Sequence, residues 1–282
     1  MPTPSLLDAV VFGLIQAATE FLPVSSTAHL LVFGELMGHS LEDPRFRAFV
    51  DVIQSGTALA VVAYFRADLW RILSGSLRAL AAGRPLSTPE ARLGWLIVMG
   101  TLPAAVLGKL LEHRIEALGN WVIAGSLVFL GVVLLLAERL ARHERPLEAV
   151  GPKEAALIGL AQAWALIPGS SRSGCTLTMG MLLGFTREAA ARFSFLLSVP
   201  IILGAGGYKL VKIWRTVPEL HTSGGWQLAA GVGTLVSFVA GYLVIGWLLG
   251  WLRTRKTYLF VAWRLAAGAA VAALILAGVL PG

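Results

Sequence analysis

Six long apolar stretches constrain this chain more than any other feature of its sequence. Each approaches the roughly 20 residues that a helix needs to cross the hydrocarbon core of a bilayer. They cover residues 49–65, 93–111, 121–137, 193–211, 228–251 and 258–280. The chain is 56% hydrophobic and 14% charged, and its mean hydropathy is +0.75. These values predict an all-α polytopic membrane protein with about six transmembrane helices.

The formal net charge of +7 does not indicate nucleic-acid binding in such a chain. Membrane proteins collect Lys and Arg in cytoplasmic loops and beside anionic headgroups. Basic segments at 66–92, 139–153 and 253–256 all fall on one side if there are six spans, so we expect that side to be cytoplasmic. We expect membrane lipids, and no nucleic acid, among the partners. Three cations fall on the outer side and violate the rule: Lys209, Lys212 and Arg215.

An internal repeat relates the two halves of the chain. Residues 13–29, GLIQAATEFLPVSSTAH, and residues 159–174, GLAQAWALIPGSSRSG, share G-L-x-Q-A and then P-x-S-S after one gap. Chance similarity between two apolar strings is the alternative explanation. With the basic segments inside, the two halves have opposite orientations. We therefore predict one integral membrane domain, 1–282, made of two inverted repeats at about 1–146 and 147–282.

Each half begins with a segment that is too short and too interrupted to span. Residues 6–38 break at Pro23, and residues 153–185 break at Pro168 and Gly169. Each segment is predicted to form a re-entrant hairpin of two helices that returns to the side it came from. Non-helical backbone at membrane depth is tolerated only where protein or water satisfies its polar groups. Paired interruptions in inverted halves indicate a binding site near the midplane.

Polar side chains cluster at the first break. Gln16 and Glu20 are four residues apart and share a helix face. The remaining members of the cluster are N-cap candidates or lie in the first turn of the next helix: Ser25, Ser26, Thr27 and His29. Taken singly, the serines could be plain helix caps, and His29 could be a satisfied interior histidine.

The second break, PGSSRSG, places hydroxyls and Arg172 at another helix start, beside glycines that let a ligand approach the backbone. Two helix N-termini that converge would form an anion site. A charge inside the membrane costs about 2.5–3.5 kcal/mol on insertion scales, so Glu20 and Arg172 should face an interior or a wet cavity. A purely structural ion pair between them is the alternative.

Phosphoryl transfer suits every one of these groups. Arginine and helix N-termini bind phosphate, a hydroxyl or imidazole accepts a phosphoryl group, and a carboxylate acts as base or holds Mg²⁺. The sequence contains no G-x-S-x-G elbow, P-loop or H-E-x-x-H motif. The type two phosphatidic acid phosphatases require a histidine six residues after their arginine, and Thr178 occupies that position here. That family is therefore excluded.

With these motifs the chain resembles the undecaprenyl pyrophosphate phosphatase family, also called the bacitracin-resistance protein family. The resemblance covers the whole chain. The family motif (E/Q)-x-x-x-E followed by F-L-P-x-S-S-[ST]-x-H matches residues 16–29, and P-G-x-S-R-S-x-x-T matches residues 168–176. Gln16 takes the amide option of its motif, so proton transfer or metal binding is expected to depend more on Glu20. Ala28 replaces the usual glycine and changes no functional group.

The resemblance implies removal of the terminal phosphate from a C55 polyprenyl diphosphate, which returns the monophosphate carrier to cell-wall synthesis. It implies Mg²⁺ or Ca²⁺ dependence, a homodimer, and a location in the bacterial cytoplasmic (inner) membrane with the active site facing the outer, periplasmic side. The resemblance assigns catalysis to Glu20, Ser26, His29 and Arg172, with Glu20 also a metal ligand. The site-lining residues it implies are Gln16, Ser25, Thr27, Gly169, Ser171, Ser173 and Thr176.

Two questions stay open at this level. Either Ser26 or His29 could attack the terminal phosphorus. Inverted repeats with broken helices are also the architecture of carriers, so the protein could flip the polyprenyl phosphate, with Glu20 and Arg172 binding rather than cleaving. A serine and a histidine beside the anion site favour hydrolysis.

Overall fold

The computed structural model describes residues 4–116, 118–217 and 223–282, and within these ranges it is helical, with no strand. The helices are α1 (Leu6–Phe21), α2 (Ser26–Leu36), α3 (Pro44–Tyr64), α4 (Arg66–Ala81), α5 (Pro89–Glu116), α6 (Asn120–Leu140), α7 (Pro152–Trp164), α8 (Arg172–Leu182), α9 (Arg187–Thr216), α10 (Gly224–Thr254) and α11 (Tyr258–Leu276). Among the described residues, six helices are long and apolar enough to span a membrane: α3, α5, α6, α9, α10 and α11. The predicted all-α polytopic class is confirmed.

Five of the six spanning helices, all but α11, begin before their apolar stretch, and polar N-caps mark two of these starts. Helix α3 begins at Pro44, and the Asp43 carboxylate accepts a hydrogen bond from the Arg45 amide at 2.9 Å. Helix α10 begins after Ser223, whose hydroxyl accepts from the Trp226 amide at 3.3 Å. Proline in the first turn and short polar N-caps are the ordinary start signals of helices.

Helix α4 lies within the basic segment 66–92, where no helix is predicted from the sequence. Its sequence is amphipathic: Gly75 is buried against α5, while Trp70, Leu73 and Leu77 are exposed. Exposed apolar residues beside arginines are typical of a helix that lies in the headgroup region of a bilayer.

The two interrupted segments form the predicted helical pairs, α1–α2 and α7–α8. Their helices have 16, 11, 13 and 11 residues. At about 1.5 Å per residue, none covers the roughly 30 Å hydrocarbon core. The first helix of each pair ends ahead of its proline, α1 at Phe21 before Pro23 and α7 at Trp164 before Pro168. The residue that precedes a proline is disfavoured in the helical region, which helps to end both helices.

Corresponding spans of the two halves run antiparallel, as the pair α3 and α9 demonstrates. Near one end Lys209 donates to the Asp51 carboxylate at 2.6 Å, and near the other the rings of Phe65 and Phe195 lie 6.0 Å apart. The ion pair also neutralises Lys209, one of the cations that violated the expected charge rule.

Helices α6 and α11 repeat this relationship. The Glu138 carboxylate, late in α6, accepts from the Thr257 hydroxyl at 2.9 Å, and Gly268 in α11 packs on Ala124, early in α6. Antiparallel packing of equivalent helices is the arrangement expected of inverted repeats. The limits at 146 and 147 stay a prediction.

The re-entrant helices pack reciprocally on the opposite half. Helix α1 lies along α10 and α7 lies along α5, while α2 contacts α11 and α8 contacts α6. The repeat-equivalent glycines lie at these crossings: Gly13 faces the Gly233 carbonyl, and Gly159 faces the Gly100 carbonyl. Small residues let helix backbones approach closely in a membrane, so these contacts fix the positions of α1 along α10 and of α7 along α5.

The largest buried apolar cluster surrounds α9. Phe195 packs edge-on against Phe21 at 5.7 Å between ring centroids, and Phe193 and Leu197 are buried beside it. Phe21 follows Glu20 directly, so this aromatic contact anchors the end of α1 where the polar residues begin.

Candidate active site

The two breaks share an uncommon backbone conformation. Ser25 has φ 77° and ψ 105°, and Ser171 has φ 70° and ψ 116°, and each residue immediately precedes a helix. Residues held at positive φ without being glycine cost about 1–3 kcal/mol, and they cluster at functional sites. The match makes Ser26 the structural counterpart of Arg172. The repeated motif P-x-S-S aligns Ser25 with Ser170, whereas the structure aligns Ser25 with Ser171. The two alignments differ by one residue because the second turn is longer between its proline and the helix that follows.

Glu20 is the centre of the cluster. Its Oε1 accepts a hydrogen bond from Arg172 Nη2 at 2.9 Å, and its Oε2 accepts from Ser26 Oγ at 3.1 Å and from Gln16 Nε2 at 3.2 Å. The carboxylate is 8% exposed. Three of the four residues predicted to be catalytic therefore meet at one carboxylate, which lies between the starts of α2 and α8.

Arg172 has a hydrogen-bond donor that the surrounding residues do not use. Its Nη2 is used by Glu20, but its Nη1 is buried and finds no hydrogen-bond partner within the described chain. An unsatisfied buried donor on a guanidinium is suited to an oxyanion, which a planar fork binds through parallel hydrogen bonds.

His29 is held by hydrogen bonds at both ring nitrogens. Its Nδ1 lies 2.7 Å from the Ser25 carbonyl oxygen, which only accepts, so Nδ1 carries the proton. Its Nε2 is then an acceptor, and Trp263 Nε1 donates to it at 2.7 Å. The imidazole lone pair therefore faces an indole and not Ser26 or Glu20.

Hydroxyls of the second break connect the two turns. Ser171 Oγ accepts from the Gly174 amide at 3.2 Å and caps α8. Ser173 Oγ lies 3.1 Å from Ser171 Oγ and donates to the Leu22 carbonyl at 3.0 Å. Ser173 thus joins the two halves at the site.

The other residues implied as site-lining lie at the edge of the cluster. Thr27 is exposed in the first turn of α2. Ser25 makes no side-chain cap bond, and it contributes its carbonyl to His29. Thr176 is directed toward α9, with its hydroxyl 2.5 Å from Ser194 Oγ. Gly169 has φ 86°, and a Cβ there would lie 2.6 Å from the Ile123 carbonyl, so only glycine fits.

Sequence reasoning missed two residues of α11. Trp263 binds His29, and Arg264, completely buried, donates hydrogen bonds to the carbonyls of Pro23, Gly169 and Ser170. An arginine in the middle of an apolar span is itself a functional signal, and it was available in the sequence at residues 258–280.

The side chains around Glu20 are suited to hold a divalent cation only when phosphate groups of a bound substrate complete the coordination. Among the described residues no group of three His, Cys, Asp or Glu side chains could hold a metal ion. Glu20 is the single carboxylate of the cluster, with the Ser26 hydroxyl and the Gln16 amide beside it. Mg²⁺ is commonly bound by one or two carboxylates plus substrate phosphates, and this set meets that requirement.

Comparisons with known proteins identify the family of this chain. The family model described as bacitracin resistance protein BacA matches residues 9–270. A protein of Anaeromyxobacter sp. (strain K) named undecaprenyl-diphosphatase is 73% identical over 277 residues, covering 98% of this chain and 94% of the relative. Proteins of the same name from Chloroherpeton thalassium and Kineococcus radiotolerans are each 46% identical, over 97% and 98% of this chain and 98% and 96% of the relatives. By its motifs, its helical arrangement and its near full-length similarity, this chain belongs to the BacA family of bacitracin resistance proteins.

Proposed function

We propose that this protein is an undecaprenyl-diphosphatase, which hydrolyses undecaprenyl diphosphate to undecaprenyl phosphate and inorganic phosphate. The convergence of Ser26 and Arg172 on the Glu20 carboxylate carries the proposal. It joins a nucleophile, a base and an anion-binding cation from two halves of the chain. The shared name of the relatives supports the same reaction.

Ser26 is the nucleophile in this proposal, and Glu20 is its base. The Ser26 hydroxyl already donates to Glu20 at 3.1 Å, whereas the free lone pair of His29 is occupied by Trp263. Proton removal by a positioned carboxylate is general base catalysis. His29 orders the first turn through the Ser25 carbonyl.

Arg172 binds the terminal phosphate through Nη1 while Nη2 keeps Glu20 in place. Charge develops on the equatorial oxygens as the bond to the lipid phosphate breaks, and a guanidinium stabilises it. The free amides at the starts of α2 and α8 supply further donors.

The reaction proceeds in two steps. First, a bond forms between Ser26 Oγ and the terminal phosphorus, the bond from that phosphorus to the bridging oxygen breaks, and the hydroxyl proton passes to Glu20. Undecaprenyl phosphate leaves, and the proton on Glu20 departs with it to water. Second, water attacks the phosphoserine, the bond from phosphorus to Ser26 Oγ breaks, Glu20 takes the water proton and delivers it to the Ser26 oxygen, and inorganic phosphate is released.

A divalent cation, Mg²⁺ or Ca²⁺, is proposed to bind at this site together with the substrate. When bound it neutralises phosphate charge. Glu20 and Ser26 would hold it, with the Gln16 amide oxygen as a further ligand.

The location is proposed from charge and resemblance. The three basic segments lie at one end of the helices, where Arg192 pairs with Asp68 and Arg253 with Glu188, and we assign this end to the cytoplasm. The site is proposed to open toward the outer side of the bacterial cytoplasmic membrane. Labelling of Thr27→Cys in a Cys175→Ser background by an impermeant maleimide from outside intact cells tests this orientation.

Phosphate release by the purified protein from farnesyl or undecaprenyl diphosphate tests the function. Arg172→Ala is expected to lower kcat by about 10³-fold or more, by analogy with other catalytic arginines. Arg78→Ala is the matched control, because Arg78 lies exposed on α4. No release by the wild type, or undiminished release by Arg172→Ala, contradicts the proposal.

Trapping of the phosphoenzyme tests the nucleophile. Mass spectrometry of protein quenched in denaturant near neutral pH, where phosphoserine and phosphohistidine both survive, is expected to locate the phosphoryl group on Ser26, and Ser26→Ala is expected to abolish it while Ser74→Ala, on α4, does not. Phosphate on His29 would reverse the assignment. Its absence from both residues would favour direct attack by water.

Transport of the polyprenyl phosphate is less well supported. A carrier would use Glu20 and Arg172 for binding, but it does not need a hydroxyl held on the carboxylate. The homodimer stays a prediction that light scattering of the detergent-solubilised protein tests.

A further inference from the structure

Arg264 is a fully buried cation in the middle of the spanning helix α11. Within the described part of the chain no carboxylate forms an ion pair with it. A buried charge is costly unless other groups satisfy it, and here backbone carbonyls supply all the acceptors. Its hydrogen bonds therefore indicate which parts of the fold depend on it.

These hydrogen bonds join the two broken helices. Nη1 donates to the Pro23 carbonyl at 3.0 Å, in the first turn. Nη2 donates to the carbonyls of Ser170 at 3.0 Å and Gly169 at 3.2 Å, in the second turn. The same side chain reaches α6, where Nε donates to Leu127 at 3.3 Å.

The bridged carbonyls lie next to the reacting groups. Pro23 precedes Ser26 by three residues, and Ser170 precedes Arg172 by two. Any change in the separation of the turns therefore moves Ser26 and Arg172 relative to each other. Both must reach the two oxygens of Glu20 at about hydrogen-bond distance, so little displacement is tolerated.

We infer that Arg264 is a positioning residue that clamps the two re-entrant turns together and so sets the distance between Ser26 and Arg172. The inference rests on the proposed phosphatase function. Arg264 acts through the turns and does not contact the reacting atoms. A planar guanidinium with five donors bridges three segments, and a lysine ammonium lacks this fork.

Steady-state kinetics of Arg264→Lys and Arg264→Gln test the clamp. Lysine keeps the charge without the fork, and glutamine keeps a donor without the charge. Misplacement of catalytic groups is expected to lower kcat by about 10²-fold in both variants, with KM changed by about twofold or less, because the phosphate-binding groups remain.

Arg145→Lys is the matched control. Arg145 also bridges carbonyls, donating to Leu183 and Ala149 at 3.0 Å each, but it does so at the basic end of the molecule. Its replacement is expected to leave kcat unchanged. If Arg145→Lys lowers kcat as much as Arg264→Lys at equal loss of melting temperature, a general structural role replaces the clamp. If Arg264→Lys alone retains full activity, the charge matters rather than the bridge, and the inference is wrong.

A second measurement does not depend on catalysis. Spin labels at Thr27→Cys and Trp164→Cys in a Cys175→Ser background report the separation of the two hairpins by double electron–electron resonance. Both positions are exposed. A narrow distance distribution that broadens in Arg264→Lys supports the clamp even if the wild type releases no phosphate. An unchanged distribution overturns it.

If the Arg264 replacements do not fold, a variant that keeps Arg264 provides the test. A Cβ at Gly131 would lie 3.3 Å from Arg264 Cβ and 3.3 Å from Leu265 Cδ2, so Gly131→Ala presses on α11 at the arginine stem and at its neighbour. We expect this variant to fold, to broaden the same distance distribution and to lower kcat. A folded Gly131→Ala protein with a wild-type distribution and a wild-type kcat counts against the clamp.

Discussion

Glu20 and Arg172 form an ion pair although 152 residues separate them in the chain. Their side chains are 8% and 14% exposed, and Arg172 Nη2 lies 2.9 Å from Glu20 Oε1. Each belongs to a different half, so neither half contains the pair alone. The site is therefore a product of how the halves pack, and its stability and its activity depend on the same contact.

Replacement of Glu20 by glutamine removes the base and leaves Arg172 unpaired. We expect kcat to fall by about 10²–10⁴-fold, the usual contribution of a general base. Breaking a buried ion pair costs about 3–5 kcal/mol, so the melting temperature should fall as well. Glu154→Gln, which breaks the pair with Arg145 at the basic end, is the control for charge loss. Normal turnover by Glu20→Gln would remove Glu20 from the mechanism.

Trp263→Phe tests the assignment of the His29 lone pair. The indole donates to His29 Nε2 at 2.7 Å, and phenylalanine keeps a ring but no donor. The freed nitrogen should react faster with diethyl pyrocarbonate, measured as carbethoxylation of His29 by mass spectrometry. Trp247→Phe, an exposed residue of α10, should leave the rate unchanged. Equal rates in wild type and Trp263→Phe would mean that the indole does not protect the imidazole.

Gly159→Ala tests the close packing of α7 on α5. The added Cβ would overlap the Gly100 carbonyl, and backbone cannot move aside cheaply. Overpacking of this kind costs about 1–3 kcal/mol, which thermal unfolding in detergent should register as a lower melting temperature. Gly231→Ala meets open space and is the control. A melting temperature for Gly159→Ala no lower than that of the control would contradict the close contact.

The positive φ angles of Ser25 and Ser171 predict consequences of different size for the same substitution at the two sites. Glycine relieves strain of about 1–3 kcal/mol at either site. Ser171→Gly also loses the cap bond to Gly174, at a cost of about a few tenths of a kcal/mol when glycine takes the cap position, whereas Ser25 makes no side-chain cap bond. Ser25→Gly should therefore melt at a higher temperature than Ser171→Gly. The reverse order would show that the strain is not equal in the two turns.

Chelation tests the proposed cation. EDTA should stop phosphate release, and Mg²⁺ or Ca²⁺ should restore it. Because Glu20 is the single carboxylate of the cluster, Glu20→Asp should raise the Mg²⁺ concentration needed for half-maximal activity, while Glu154→Asp should not. Full activity in EDTA would exclude a required divalent cation.

The fold was predictable where apolar length or a breaker residue determines structure. The six spans follow from hydrophobic stretches, and Pro23 and Pro168 mark both re-entrant turns. Helix α4 was not predicted because its arginines are typical of a cytoplasmic loop, and the sequence alone does not show which of its residues are buried. Only packing reveals that Gly75 faces a neighbouring helix.

The residues that form the site could be predicted, but the arrangement of their side chains could not. The inverted repeat predicted that the two breaks converge, and the family resemblance placed Glu20, Ser26 and Arg172 in one catalytic set. No spacing could indicate that Thr176 is directed toward Ser194, or that the imidazole faces Trp263. These contacts depend on side-chain directions set by helices far away in sequence. Arg264 was a readable signal, since a charge inside an apolar span requires a partner.

Division of the ion pair between the halves has a consequence for biosynthesis. The ribosome adds Glu20 long before Arg172, and at 5–20 residues per second a separation of 152 positions takes roughly 8–30 s. During that interval the carboxylate lacks its guanidinium, so water or the insertion machinery must surround it in the nascent first half. Assembly of the catalytic centre is therefore a late event, completed only when the second hairpin docks.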